Sequence, residues 1–295
     1  MPKISVLVPV YNSQKFLRMC LESIRIQTFT DFEVVIVDDG STDNSGVICD
    51  EYSQNDGRFK VFHKQNEGIS ATRNFALRLA TGEYFLFVDS DDAIDKNTLE
   101  LTYTHAQIND ADVVGFNFLQ KYPHKTVHSH IHYSTKDEFV RDMIRGHWAT
   151  VWKMLIQKKL VSDNNICFPK GIDGGEDYYF CSLVLLASVN PVYIDEVLYR
   201  YNCRNTNSFI RTPSLKKLNY QVQATLLLEN HLQQGGLKKL FSSEIEIRKR
   251  NVKKKMLYYN LSEGQKLFPE IDYDMSYRDW LFAKIKRYAK SLLTM

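Results

Sequence analysis

The sequence predicts an α/β fold in which helices flank a mostly parallel central sheet. Through the first half of the chain, short apolar runs alternate with amphipathic segments, which is typical of successive strand–helix–strand units. The composition, 44% hydrophobic and 25% charged over 295 residues, is that of a soluble globular chain long enough to bury a large core. These observations exclude disordered, collagen-like and membrane-spanning architectures.

Four apolar runs in the first half predict buried strands, at residues 4–8, 32–37, 58–62 and 84–88. Apolar residues at helical spacing predict helices over 16–24 and 70–79. Asp38-Asp39 closes the second run, and Asp89-Ser90-Asp91-Asp92 follows the fourth. In open α/β sheets ligands bind beyond the carboxyl ends of the strands, so these acidic ends predict the functional site.

The second half begins with a predicted strand over 113–119 and continues with a polar stretch, 120–135, for which no element is predicted. Helical patterns follow, at residues 136–145, 178–187, 214–233, 238–261 and 277–293. We therefore divide the chain into a body, residues 1–212, and a helical extension, residues 213–295.

The charge is distributed unevenly between these two parts. Residues 238–295 carry 14 Lys and Arg against 7 Asp and Glu, net +7, which leaves −4 for the first 237 residues and gives the chain its net +3. The basic run at 248–255 and the aromatic, basic segment 277–293 leave two interpretations open. One is peripheral membrane attachment, and the other is packing against the body or a second subunit, as in a homo-oligomer. We expect no nucleic-acid partner.

The five cysteines are scattered and form no Cys-x-x-Cys pair, which favours a reducing compartment over a disulfide framework or zinc ribbon. The first apolar run is too short for a signal peptide or a membrane span. We expect a cytoplasmic protein, with attachment to the inner face of the cell membrane as the alternative.

Asp89 and Asp91 place carboxylates together at the exit of a buried strand, and such hard oxygen ligands predict Mg²⁺ or Mn²⁺. The alternative is a strand-end turn with a helix cap. His124 and the alternating series His128-x-His130-x-His132 could hold a transition metal, but a solvent-facing or acceptor-facing strand is the favoured interpretation because no carboxylate or cysteine lies in the same run.

Four motifs within the first 120 residues resemble, in order and spacing, those of the family 2 inverting glycosyltransferases. They are Val8-Pro9-Val10-Tyr11-Asn12, Val37-Asp38-Asp39-Gly40-Ser41-Thr42-Asp43, Asn66-Glu67-Gly68 with Arg73-Asn74, and Val88-Asp89-Ser90-Asp91-Asp92. Later segments resemble the looser motifs of bacterial capsule-type and cell-surface members, namely Trp152-Lys153-Met154-Leu155, Gly175-Glu176-Asp177-Tyr178 and residues 199–208.

The resemblance implies a GT-A fold whose nucleotide-sugar half is about 1–120 and whose acceptor half is about 121–212. It assigns Pro9, Tyr11 and Asn12 to the base and ribose, and Asp39 to uracil N3. In the same way, Asp89 and Ser90 of the Asp-x-Asp motif would reach the ribose and diphosphate, Arg73 would face the diphosphate, and Asp91, then Asp89, would bind the metal.

The resemblance also implies that Asp177 is the general base, with Glu176 beside it. The two preceding glycines would let the backbone approach the acceptor, and a helix start favours an ionised carboxylate. Relatives often carry an arginine where this chain has Asn202, which leaves open whether Arg200 or Arg204 closes over the diphosphate.

The predicted function is metal-dependent inverting transfer of a hexose, glucose or galactose favoured, from a UDP-sugar to a lipid-linked or protein-linked glycan acceptor of the bacterial surface. One alternative is a sugar nucleotidyltransferase, which would need a Gly-rich, arginine-containing loop where this chain has residues 9–12. The other alternative is a catalytically silent scaffold or lectin-like partner of a glycan-assembly complex.

Overall fold

The computed structural model describes residues 1–205 and 214–272. Within these ranges one sheet of nine strands runs through the molecule, formed by β1 Ile4–Val10, β2 Phe32–Asp38, β3 Phe59–His63, β4 Tyr84–Phe87, β5 Ala93–Ile94, β6 Val113–Lys121, β7 Thr126–His128, β8 Met154–Gln157 and β9 Pro191–Asn202. The helices are α1 Gln14–Arg25, α2 Ser45–Asn55, α3 Ile69–Leu79, α4 Thr98–Ile108, α5 Lys136–Arg145, α6 Lys158–Asp163, α7 Glu176–Ala187, α8 Leu215–Gln234, α9 Ser242–Tyr259 and α10 Leu261–Lys266.

The first half of the sheet is parallel, as the sequence predicts. Its order is β3-β2-β1-β4, and every residue of β1 and β2 is buried. Because these strands are parallel, their carboxyl ends lie at one edge of the sheet, where Val10 is paired with Asp38. That edge therefore collects both acidic strand ends.

The second half is mixed and differs from the sequence expectation. β8 lies antiparallel between β4 and β6, β9 runs parallel to β6, and the two-residue β5 pairs with β9. The unassigned stretch 120–135 forms a hairpin of β6 with β7 and then an irregular segment. Pairing of Ala93 with Arg200 brings residues 199–205 alongside the acidic turn that follows β4.

Helices cover both faces of this sheet. Along β1, Leu7 packs into the core beneath α3, α5 and α7, whereas Val6 and Val8 pack into the opposite core beneath α1, α2 and α4. The buried residues of α1 recur at helical spacing, at Leu17, Cys20, Leu21 and Ile24. The α/β architecture with flanking helices is thus confirmed.

The C-terminal helices α8 and α9 pack against α5 and α7. In the basic run, Arg248, Lys249 and Lys253 are buried, so these three side chains are not available to a membrane surface. They are held inside because Lys249 pairs with Glu229 and Glu270, while the Lys253 ammonium donates to backbone carbonyls. Packing against the body is the interpretation that the structure supports for α9.

Two sequence expectations, the boundary at 212/213 and the helix at 277–293, lie outside the described residues. Among the helices within 1–205 and 214–272, none combines the length and apolar character that crossing a bilayer requires.

Candidate active site

The site lies at the carboxyl edge of the parallel strands, where Arg73 of α3 joins three carboxylates. Its guanidinium donates to Glu176 Oε1 at 2.8 Å, to Asp177 Oδ1 at 2.5 Å and to Asp89 Oδ1 at 3.2 Å. The Arg73 side chain is only 4% exposed. Arg73 therefore faces the predicted base and the Asp-x-Asp motif.

Aromatic packing fixes Arg73 in this place. Its guanidinium carbon lies 5.4 Å from the ring centre of Phe168 and 5.9 Å from that of Phe87. Burial would lower the pKa of Arg73, but the charges of the three carboxylates outweigh burial and raise it. The guanidinium thus stays charged and holds the cluster together.

Asp177 occupies the first turn of α7 after Gly174 and Gly175. Its Oδ2 accepts from the Val151 N–H at 3.5 Å. Burial raises the pKa of Asp177 to about 8 although Arg73 opposes the shift, and the nearby charges of Glu176 and Asp89 add to it. Burial and the neighbouring carboxylates thus favour the protonated form of Asp177, whereas the Arg73 guanidinium favours the ionised form that a general base requires.

Glu176 accepts hydrogen bonds from its own loop as well as from Arg73. Its Oε2 accepts from the N–H groups of Gly174 at 2.5 Å and Gly175 at 2.9 Å. Both glycines have positive φ, +142° and +118°. Glu176 thereby closes the turn that presents Asp177.

The acidic turn after β4 is held by residues at the end of β9 and just beyond it. Asp92 is fully buried and accepts from the Tyr199 hydroxyl at 2.8 Å and the Asn202 N–H at 2.7 Å. Asp91 Oδ2 accepts from the Asn205 side chain at 2.8 Å. Burial, and next the charge of Asp89, raise the pKa of Asp91. Asp92 is therefore a structural carboxylate, whereas Asp91 and Asp89 carry negative charge toward the site.

These carboxylates fit a hard divalent cation. Asp89 is 27% exposed, and its charge adds to the effect of burial in raising the pKa of Asp91. In residues 1–205 and 214–272 no group of three or more metal-ligating side chains gathers. Mg²⁺ or Mn²⁺ bound through one or two carboxylates takes its other ligands from phosphate and water, so the small donor set suits a nucleotide-dependent ion.

The predicted nucleoside end lies beyond β1 and β2. Asp39 accepts from Lys64 Nζ at 2.5 Å and from the N–H groups of Glu67 at 3.0 Å and Gly68 at 3.1 Å. The Asp39 side chain is 5% exposed. Tyr11, by contrast, is 51% exposed. Asp39 thus anchors the 64–68 loop, and Tyr11 is open to a ligand.

Three other residues predicted to bind the nucleotide sugar, Asn12, Pro9 and Ser90, lie near this edge and differ in their contacts. Asn12 Oδ1 accepts from the Thr42 N–H at 2.8 Å and joins the two loops, while Pro9 is buried within β1. Ser90 is buried, and its hydroxyl lies 2.7 Å from that of Ser13.

The structure distinguishes the two candidate arginines, of which Arg200 lies within β9 and Arg204 just after it. The Arg200 guanidinium pairs with Asp95 at 2.8 Å. Arg204 is exposed, and its N–H donates to the Asn202 side chain, which itself donates to the Asp91 carbonyl. Arg204 is therefore the arginine next to the acidic turn.

The histidine series does not form the continuous strand face that its spacing predicts. Only His128 lies in a strand, β7, and the chain leaves the sheet before His130 and His132. All three side chains are exposed.

Sequence reasoning missed Tyr199, Asn205 and Lys64 as supports of the site. Tyr199 also accepts from the Asp89 N–H at 3.1 Å, so it braces two residues of the acidic turn. No local signal could identify these contacts, since Tyr199 and Asp92 are separated by 107 positions along the chain.

Comparison with known proteins agrees with this geometry. The family model described as "Glycosyl transferase family 2" matches residues 5–168, more than half of the chain. The chain is 36% identical over 225 residues to glycosyltransferase GlyG of Streptococcus pneumoniae serotype 4, covering 71% of this chain and 73% of that protein. It is 30% identical over 249 residues to the uncharacterized glycosyltransferase EpsJ of Bacillus subtilis, covering 80% of this chain and 72% of that protein.

Solved structures share the fold. The structure of S. aureus TarS 1–349 in complex with UDP-GlcNAc matches with a TM-score of 0.67 at 23% identity, covering 95% of this chain and 79% of that one. The mannosyltransferase PcManGT from Pyrobaculum calidifontis, in complex with GDP-Man and Mn²⁺, matches with a TM-score of 0.55 at 16% identity, covering 100% of this chain and 81% of that one. At these identities the likeness concerns the GT-A fold alone. Together with the family match and the curated relatives, it leads to one conclusion: this chain is a glycosyltransferase that belongs to glycosyl transferase family 2.

Proposed function

We propose that this glycosyltransferase is a metal-dependent inverting enzyme that transfers a hexose from a UDP-sugar to a glycan acceptor at the inner face of the bacterial envelope. One observation carries the proposal, namely that Arg73 binds the predicted base Asp177 and the donor-side Asp89 at the same guanidinium. In a single displacement, the donor sugar and the base must both lie close to the acceptor oxygen. The contact of Arg73 with both Asp177 and Asp89 supports such an arrangement.

In the proposed reaction Asp177 accepts the proton of the acceptor hydroxyl while that oxygen attacks the anomeric carbon. The bond from that carbon to the diphosphate oxygen breaks on the opposite face, so an α-linked donor gives a β-linked product. Arg73 orients the Asp177 carboxylate, and Glu176 keeps its turn closed. We assign Glu176 a positioning role on this geometry.

Asp91 and Asp89 would hold Mg²⁺ or Mn²⁺, which supplies neutralisation of the diphosphate charge when it is bound. On the protein side, exposed Arg204 lies next to the same turn and can approach the diphosphate. Tyr11 would stack on the base, and Asn12 would fix the loop below the ribose. Residues 1–120 would thus bind the donor, and residues 121–212 the acceptor.

The test is a donor screen by nucleotide release. The purified protein is incubated with UDP-glucose, UDP-galactose, UDP-GlcNAc and GDP-mannose, each with Mn²⁺, with Mg²⁺ and with EDTA, in the presence of membrane lipid-linked glycans or glycosylated protein acceptors. We expect release of UDP from one UDP-hexose, stimulated by the cation and lost in EDTA. Release of GDP alone, or equal release in EDTA, would contradict the donor or the metal assignment.

Two controls address the alternative functions. Incubation with UTP and a sugar 1-phosphate, followed by a pyrophosphate assay, should give no product; pyrophosphate formation would indicate a nucleotidyltransferase. Thermal stabilisation by UDP without any turnover across the panel would instead favour a silent, ligand-binding partner. Anomeric NMR of the transferred sugar then decides inversion.

A further inference from the structure

The C-terminal helix α8 packs directly on the turn that presents the predicted base. A Cβ placed on Gly175 would lie 3.2 Å from the Cβ of Ala224 and 3.3 Å from the Cα of Gln221. Gly175 also has φ +118°, and Ala224 is fully buried. Only a glycine facing an alanine permits this approach, so the backbone of the turn rests against α8.

A second contact joins α9 to the same turn. The guanidinium carbon of Arg248 lies 4.1 Å from the ring centre of Tyr178, the residue after Asp177. Arg248 Nε donates to the Thr225 hydroxyl of α8 at 3.3 Å, and the Tyr178 hydroxyl donates to the Ile144 carbonyl of α5 at 2.9 Å. Four helices, α5, α7, α8 and α9, are thereby tied around the residue next to the base.

A buried, charged Arg248 is an energetically costly contact between helices. It is buried, burial lowers its pKa, and no ion pair to it is found in the described parts of the chain. Well-packed apolar side chains of similar volume usually stabilise a core at least as well as a buried charge does. The cost therefore indicates a requirement beyond stability.

We infer that α8 and α9 form a brace that positions the catalytic base, with Ala224 and Arg248 as positioning residues that act through Gly175 and Tyr178. From the opposite side, Arg73 draws the Asp177 carboxylate toward the donor. In this inference, the turn that carries Asp177 keeps its position only when the contacts with α8 and α9 and the contact with Arg73 are both present. This inference rests on the proposed function, because it takes Asp177 as the base.

The experiment compares steady-state kinetics and melting temperatures of matched variants on these helices. Ala224→Val adds two methyl groups against the Gly175 backbone, whereas Ala224→Ser keeps the small volume. Arg248→Met keeps an unbranched apolar stem and removes the charged guanidinium. The control is Leu232→Ala, which opens the same core about 12 Å farther along α8.

We expect Ala224→Val and Arg248→Met to lower kcat at least about tenfold, since displacement of a catalytic group by a fraction of an ångström is costly. Their KM for the donor should stay within about twofold of the wild-type value, because the donor half is not touched. Ala224→Ser should be close to wild type. Leu232→Ala should lower the melting temperature at least as much as Ala224→Val and Arg248→Met do, while leaving kcat nearly unchanged.

The outcomes separate this inference from the function on which it rests. If Asp177→Asn turns over normally, the base assignment is wrong. If Asp177→Asn is inactive but Arg248→Met and any folded Ala224→Val match the control in kcat, the brace is wrong. Loss of kcat in the control in proportion to its melting temperature would also overturn the brace, since the effect would then be one of stability alone.

Discussion

The two ends of the parallel sheet treat buried carboxylates in opposite ways. At the amino end, Glu33 of β2 accepts from the Ser5 hydroxyl at 2.7 Å, from the Thr81 N–H at 2.6 Å and from Lys60 Nζ at 2.7 Å. Burial by itself would raise the pKa of Glu33, but these hydrogen bonds lower it to about 2. The charged form of Glu33 is the one that the fold prefers.

At the carboxyl end, three buried carboxylates of the site are less well compensated. Burial raises the pKa of Asp91, Asp92 and Asp177, with neighbouring carboxylates as a second cause in the first two. Two buried cationic groups here, Arg73 Nε and Lys153 Nζ, have no hydrogen-bond partner within 1–205 and 214–272. The amino end therefore stabilises the charged form of its carboxylate, whereas the carboxyl end disfavours the charged form of three, as is common at functional sites.

The strongest test of this contrast is Asp177→Asn. Transfer should fall by about 10³-fold or more, since the amide cannot accept the acceptor's proton. Stability should not fall: the pKa of Asp177 is raised on folding, so the folded state loses stability as pH rises from about 4 through that raised value, and the amide avoids this loss. Urea unfolding and transfer rates at pH 5 and pH 8 check both expectations. A less stable variant at pH 8 would remove the contrast.

Glu33→Gln should give the reverse pattern. Lowering of the Glu33 pKa from 4.5 to about 2 corresponds to about 3 kcal/mol of unfolding free energy. Because that pKa is lowered on folding, the stability is present above about pH 5 and is lost as pH falls toward 2. The free energy of unfolding of the variant should thus be lower than that of wild type at pH 7, and the two values should converge near pH 2. Turnover per folded molecule should be unchanged. Altered kcat would show that the amino end is not purely structural.

Arg73→Lys keeps the charge but not the planar fork that reaches three carboxylates. We expect kcat to fall by about 30-fold, comparable to loss of one or two charge-assisted hydrogen bonds. Guanidinium ion added to the smaller variant Arg73→Ala should restore part of the activity. If the lysine variant is as active as wild type, Arg73 supplies charge alone, and the geometric account of the cluster is wrong.

The smallest effect is expected for Lys153→Met. Burial lowers the pKa of Lys153 to about 8, so the folded state disfavours its charge at neutral pH. The methionine should raise the unfolding free energy at pH 7 by about 1 kcal/mol. This gain should fade as pH rises from about 8 to about 10.5, because folded lysine is neutral above the first value and unfolded lysine above the second. Destabilisation at pH 7 would mean that the ammonium has a favourable partner at this end.

The sequence by itself determined the parallel half of the fold and the edge at which the site lies. Buried strands such as β1 and β2 are continuous apolar runs, and amphipathic helices such as α1 show their spacing within 12 residues, so both are local signals. The sequence also indicated Asp177, Asp89 and Asp91 through the motifs that resemble the family. β5 escaped prediction because a run of two residues is too short to show a period.

Only the tertiary structure decided what those residues touch. Arg73 meets Asp177 across 104 positions and Asn205 meets Asp91 across 114, and no local pattern carries such pairings. The basic run at 248–255 is one continuous charged segment in sequence, yet Arg248, Lys249 and Lys253 turn inward. Glu229 and backbone carbonyls compensate the two lysines, whereas Arg248 stacks on Tyr178 without an ion pair in the described residues. The sequence gives the sign of the charge on a side chain. The energetic cost of that charge and its role depend on its surroundings, which the fold assembles from distant segments.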